Sequence, residues 1–497
     1  MSDDSAAYEG LFDSESLNVR LGFTRAAYEA AEAAARPGSL PEDAKTYVHE
    51  LTHYVQATTT PYGLFIHYCR EVQTTDVVTL VRALLGAGIE FKRPLIYHVP
   101  VGPGGPVGPE VRGALMRWIN TEILVASLAQ DRSSLEYYIG KLTAADALVP
   151  LLPPVETFRR LQGGIAQFIA SENARRERSG VRPWDNGAFD AAAINAEGDG
   201  LGSDIERSLE RANMALNLSG NPWGTESIIE SAATAAEWAE SGAGLDALRA
   251  FAADNSDPDI AMYKNCLERG LEAIPADDLQ QFAFTYIALS ELALHAPLLP
   301  QHAGLRAGRV NPEELFPPLR FQALLSQAGK VGPLQGLNDV ARYNLEMCKA
   351  LGWVHPTQMI AAALDGPQAV DDQRAQRYIW AQAERARGQH AFTNLTRRVF
   401  DPSPAGEQFR ERYAFPVIEY TDRTFYMKDK DALWALTTEH LFMTTMRYVM
   451  LGKTLTVECP YRGAPDEYET LTGWLQEALQ ASFHRSFPTA RVTGPQR

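Results

Sequence analysis

The chain has 497 residues, too many for one hydrophobic core of ordinary size, and its 45% hydrophobic and 22% charged residues describe a folded globular protein, not a disordered or fibrous one. A formal net charge of −16 repels phosphate backbones and anionic lipid headgroups, which sets aside nucleic acid and membrane surfaces as expected partners.

The N-terminal stretch from Met1 to Ser16 is acidic and has neither the basic start nor the apolar stretch of an export signal, so a cytoplasmic protein is expected. SLNVRLGF, Ser16 to Phe23, alternates as a strand does. A helix follows. Ser39 and Glu42 have capping-box spacing, Pro41 suits a first turn, and Pro61 with Gly63 ends it. At about 100° per residue, Tyr47, Val48, Leu51, Tyr54 and Val55 fall on one arc that must face a core. His49 and His53 lie on the opposite side, about 40° apart and one turn apart along the axis, where two imidazoles can share an ion. Glu50 lies one step round, placed to take a proton from a water on that ion. The plain alternative is a solvated polar face or two hydrogen-bonded core histidines.

Catalytic zinc keeps three protein ligands, so a third must come from elsewhere. Two glutamates compete. Glu71 lies on a helix that follows the turn at Thr60-Pro61 and runs back along the first. Glu230 lies in WGTESIIESAATAAEWAE, where Glu226, Glu230 and Glu237 share one face and Ile228, Ile229, Ala232 and Ala236 form the other. Between them, RPLIYHV (Arg93 to Val99) reads as a strand, and the proline-rich Val99 to Glu110 as a connector that lacks the free N–H groups of a phosphate loop. The basic run at Arg175 to Arg182 is short, and Asn195 to Glu206 does not have calcium-loop spacing, Asp204 reading as a helix N-cap.

Farther on, Ala296 to Pro318 and Phe400 to Gln408 read as boundaries, and AFPVIEYTDRTFYM (Ala414 to Met427) and KTLTVEC (Lys453 to Cys459) as strands. His440 is a lone helical histidine that would suit polarising a carbonyl. The four cysteines have no C-x-x-C pair and read as reduced, buried thiols, and no segment reaches the roughly 18 apolar residues a membrane span needs.

The HELTH helix resembles that of the zincin metallopeptidases, and the resemblance implies His49 and His53 as zinc ligands with Glu50 as general base. The metzincin pattern fails, since Gln56 stands at its glycine and Thr59 at its third histidine. Gluzincin aminopeptidases carry their third ligand as E-G-x-A-x-x-x-E, and ESAATAAE is similar, with Glu230, Ala233 and Glu237 in place and Ser231 replacing the glycine. This likeness implies His49, His53 and Glu230 as the zinc ligands. Glu230 lies much farther from His53 than in those families, so a long helical insertion must loop out between them. HELTHYVQATTTPYGL is also similar to a group of bacterial HExxH proteins with a later alanine-rich glutamate helix.

The expected fold is mainly α with minor β: a zincin-like metal-binding domain over residues 1–300, with an insertion at about 90–200, and a C-terminal helical domain with short strands over 301–497. The expected function is a zinc metallopeptidase acting on peptides or proteins. Two alternatives remain open. One is a di-iron carboxylate oxidase, since Glu50 and His53 also read as E-x-x-H, although Glu291 to His295 is one residue too long to be its second copy. The other is a zincin-like binding protein without turnover. Nothing in the sequence fixes an oligomeric state.

Overall fold

The computed structural model describes residues 10–34, 42–88, 224–254, 260–302, 314–336, 339–365, 373–386, 417–422, 425–426, 430–451, 454–463 and 465–495, with a few single positions between them. Elements are numbered over these residues. Helix makes up 73% of them, against short strands only, so the fold is mainly α with minor β. The capping box at Ser39, the strand at 93–99, the connector at 99–110, the basic run at 175–182, the loop at 195–206 and the boundary at 400–408 lie outside the described residues, single positions such as Leu95 and Arg178 apart. The same holds for most of the insertion expected at about 90–200.

The chain opens with a hairpin of β1 (Gly10–Asp13) and β2 (Asn18–Leu21). The Asp13 carboxylate closes the turn by accepting the N–H groups of Glu15 and Ser16. β3 (Val417–Glu419) then pairs in parallel with β2, Val19 opposite Ile418, and β4 (Phe425–Tyr426) lies antiparallel to β3, giving the order β1-β2-β3-β4. The sequence marks β2 and β3 by alternation, whereas β1 sits in the acidic N-terminal stretch without such a signal. After α1 (Arg25–Ala34) comes α2 (Glu42–Thr59), whose Tyr47, Leu51, Tyr54 and Val55 pack with Leu17, Val19 and Leu21 beneath the sheet. These α2 residues are four of the five in the arc the sequence predicts; the fifth, Val48, packs instead in the main helical core.

A tight corner joins α2 to α3 (Pro61–Gly86). The hydroxyls of Thr58, Thr59 and Thr60 donate to the carbonyls of Tyr54, Val55 and Gln56, satisfying acceptors that the helix end would otherwise leave bare. Thr60 is also the N-cap of α3, its hydroxyl accepting the Gly63 N–H, with Pro61 in the first turn.

The main core is helical. It is built by α4 (Thr225–Ala239), α5 (Leu245–Ala253), α6 (Ala261–Ala273), α7 (Leu279–Leu294), α8 (Pro317–Val331) and α9 (Val340–Leu351). Elements on both sides of residue 300 share it: Tyr286 of α7 meets the Phe321 ring of α8 edge-on at 5.4 Å. After α10 (Pro356–Asp365), α11 (Gln373–Ala386) covers the α2–α3 corner, Gln382 donating to the Thr59 carbonyl. Helices α12 (Lys430–Leu451) and α13 (Pro465–Phe483) pack on α3 with the parallel pair β5 (Thr456–Glu458) and β6 (Arg491–Thr493). All four cysteines are buried and free, and no helix of the described residues is long and apolar enough to cross a membrane.

The corner tolerates no side chain at Gly63, because a Cβ there would lie 2.0 Å from the Ala57 carbonyl oxygen, a backbone atom that cannot swing away. Gly63→Ala is expected to destabilise the protein by about 1–3 kcal/mol or more. Urea unfolding of the variant beside wild type measures it, and equal midpoints would contradict the close approach.

Candidate metal centre

His49 and His53 project from α2 one turn apart, their rings edge-to-face with centroids 4.8 Å apart. Helix α4 lies directly over this face. It can do so because the side it turns inward is made of small residues: Ser231, Ala232, Ala233, Ala235 and Ala236 are all buried, and Ala232 and Ile228 share a core with Val48 of α2. A larger side chain at these positions would hold the backbones apart. The close approach brings Glu230 between the two imidazoles.

One carboxylate oxygen of Glu230, Oε2, lies 3.3 Å from His49 Nε2 and 3.4 Å from His53 Nε2. A tetrahedral ion with ligands at about 2.0–2.1 Å sets those ligands about 3.3 Å apart. The two measured edges therefore have the length that a shared ion requires, and His49, His53 and Glu230 form a group able to hold a metal.

The other nitrogens face acceptors. His49 Nδ1 is 3.3 Å from Glu237 Oε2, two turns along α4, and His53 Nδ1 is 3.3 Å from Gln56 Oε1. A carboxylate or amide oxygen only accepts, so with an ion at the shared point each Nδ1 would donate its hydrogen to that acceptor and each Nε2 would offer its lone pair to the ion. Gln56 also donates from Nε2 to the Ile229 carbonyl, tying α2 to α4 beside the site. Phe12 of β1 stacks on the His53 ring, with centroids 6.4 Å apart.

Glu50 is 6% exposed and faces β1. Burial raises its pKa, and the charges of His53 and His49 and a hydrogen bond from the Phe12 backbone offset only part of that rise. Burial works against a charged His49 as well. Hydrogen bonds to Glu230 and Glu237, with the charge of Glu50, outweigh it and raise His49 from 6.5 to about 10. Burial likewise opposes the charge of Glu230, but its hydrogen bonds to His49 and His53 prevail and hold its pKa far below the ordinary carboxylate value. The pattern is that of a site starved of positive charge, which a proton fills when nothing else does.

The other sequence candidates fall elsewhere. Glu71 belongs to a different group, with His67 and Glu439. Glu226 is exposed at the start of α4. His440 is buried, with its Nδ1 3.6 Å from Glu15 Oε2. His295 turns its Nδ1 to the backbone carbonyl of Glu291 at 2.7 Å, a local contact at the end of α7. Gln56 belongs to the Q-x-x-x-T of the HELTHYVQATTTPYGL likeness, which gives it no role at the site, and Phe12, on the strand without an alternating pattern, has no sequence signal. No protein-family profile matches the chain, and neither a curated protein nor a solved structure matches it.

A histidine whose folded pKa exceeds its unfolded value adds stability that is fully present below 6.5 and lost as pH rises through about 10. In protein kept metal-free by a chelator, the stability advantage of wild type over His49→Gln should therefore shrink between pH 6.5 and 10. Denaturant titrations across that window measure it, and an advantage that grows with pH would show that His49 is not held in its charged form.

Proposed function

We propose that the protein is a zinc-dependent metallopeptidase, with His49, His53 and Glu230 holding the ion and Glu50 as the general base. The observation that carries this reading is the convergence of both histidine Nε2 atoms on one oxygen of Glu230, at 3.3 and 3.4 Å, next to a buried carboxylate on the same helix. Two imidazoles and one carboxylate suit zinc, and the acceptors behind each Nδ1 fix the ring orientations it needs. Zinc bound there would polarise a substrate carbonyl and lower the pKa of water in its open position to about 7.

Everything else falls to the chain. Glu50 accepts the proton of the attacking water at its carboxylate and passes it to the leaving amine, and a pKa raised by burial brings it closer to working pH for both transfers. The Phe12 N–H that meets Glu50 holds that carboxylate in place. β1 pairs only with β2 in the described sheet, and its other edge borders Glu50, which supports an extended peptide as the substrate. Four buried free thiols fit a reducing compartment such as the cytoplasm.

His49→Ala or His53→Ala should remove one equivalent of zinc from the purified protein, and Glu230→Gln should weaken that binding, because an amide is a poorer ligand than a carboxylate. Glu237→Gln should cost about 10- to 100-fold in affinity through the His49 ring. Metal analysis decides, and a zinc content equal to that of wild type in both histidine variants sinks the assignment.

Glu50→Gln keeps size but cannot accept a proton, so it should retain zinc while cleavage falls by about 10²- to 10⁴-fold. Gly10→Ala should also slow turnover with zinc retained, because its Cβ would lie 2.6 Å from Thr46 Cγ2 and 2.8 Å from Glu50 Oε1 and push that carboxylate aside. A peptide-library digest read by mass spectrometry tests both variants. Cleavage by neither wild type nor variant, or equal cleavage by wild type and Glu50→Gln, removes the peptidase reading.

A further inference from the structure

A second convergence of metal-ligating side chains lies where α3 packs against α12. His67 and Glu71 are four residues apart on α3, so both project from one face of that helix, a turn apart. Glu439 reaches them from α12, its Oε1 3.7 Å from His67 Nδ1. One ligand atom from each of the three lies within 4.8 Å of the others.

We propose that His67, Glu71 and Glu439 form a second divalent-cation site, for a first-row ion such as zinc or manganese. The donor set is harder than that on α2 and α4, with one imidazole and two carboxylates, which suits manganese as well as zinc. Its two negative charges balance one divalent ion. The Glu439 side chain, 34% exposed, leaves a way in from solvent. The Arg374 guanidinium, whose field reaches His67, donates to the carbonyls of Ser14 and Glu15.

The consequence is mechanical. α3 continues directly from α2 through the Thr60 corner, and α12 belongs to the C-terminal part of the chain. An ion held by both cross-links the helix that follows the His49–His53 helix to that C-terminal packing. The site shares no residue with the first, so it stands or falls separately from the peptidase reading.

The test uses full-length protein stripped of metal, incubated with zinc or manganese ions, desalted and assayed for bound metal by mass spectrometry. A His49→Ala/His53→Ala variant, in which the second group is intact, should still bind one equivalent of at least one ion, and that ion should raise its thermal midpoint. A Glu71→Gln/Glu439→Gln variant, folded by circular dichroism, should bind one equivalent less than wild type, and combining both sets should abolish binding. The proposal is overturned if the histidine variant binds neither ion, a result that does not depend on the glutamine variant folding. It is also overturned if folded Glu71→Gln/Glu439→Gln binds as much of both ions as wild type. Should the histidine variant bind as much as wild type while the glutamine variant loses its equivalent, the second site stands and the assignment on α2 and α4 fails.

Discussion

The contact between α2 and the small-residue face of α4 is the constraint on which the site depends. Ala232, Ala233 and Ala236 leave no bulk between the two helices, so the polar side of α2 is covered by protein instead of water. His53 thereby loses nearly all of its solvent and His49 most of it, and a polar group that loses its solvent must find partners within the fold. Glu230, Glu237 and Gln56 are those partners. One packing decision thus sets the distances, the burial and the hydrogen-bond directions of the candidate centre together.

The electrostatics follow from the same contact. Glu50, Glu230 and Glu237 surround two imidazoles, and burial alone would drive His49, Glu50 and Glu230 toward their neutral forms. Contact distances of 3.3 to 3.4 Å let the pairwise attractions prevail for His49 and Glu230. Glu50 has no such contact, so burial prevails there and its pKa rises. Two carboxylates of one site are thus pushed in opposite directions.

Support for this arrangement comes from both ends of the chain. β3 from beyond residue 416 completes the sheet begun by β1 and β2, and that sheet seats α2 through Tyr47, Leu51 and Tyr54. β1 in turn touches the site directly, through Phe12 on the His53 ring and Gly10 against Glu50. The α2–α3 corner, closed by three threonine hydroxyls and Gly63, fixes where α2 stops.

What the sequence determined by itself was local. A 3.6-residue period suffices to place His49 and His53 on one face, Glu50 beside them and Tyr47, Leu51, Tyr54 and Val55 opposite, because a helix fixes these directions whatever surrounds it. The same period put Glu230 and Glu237 on one side of the alanine-rich helix, and alternation marked β2 and β3. Only the tertiary structure decided which glutamate meets the histidines, since spacing along the chain carries no information about contacts across a long intervening segment. Glu71, the nearer in sequence, goes to His67 and Glu439, while Glu230 comes to α2. In the sequence Gln56 is a position where the metzincin motif fails and part of a Q-x-x-x-T likeness, whereas in the fold its amide joins His53 to α4, a role that exists only once two helices touch. β1 and the His67 group were hidden for the same reason: a short edge strand and a three-residue cluster drawn from two helices are defined by neighbours in space, and no local pattern encodes them.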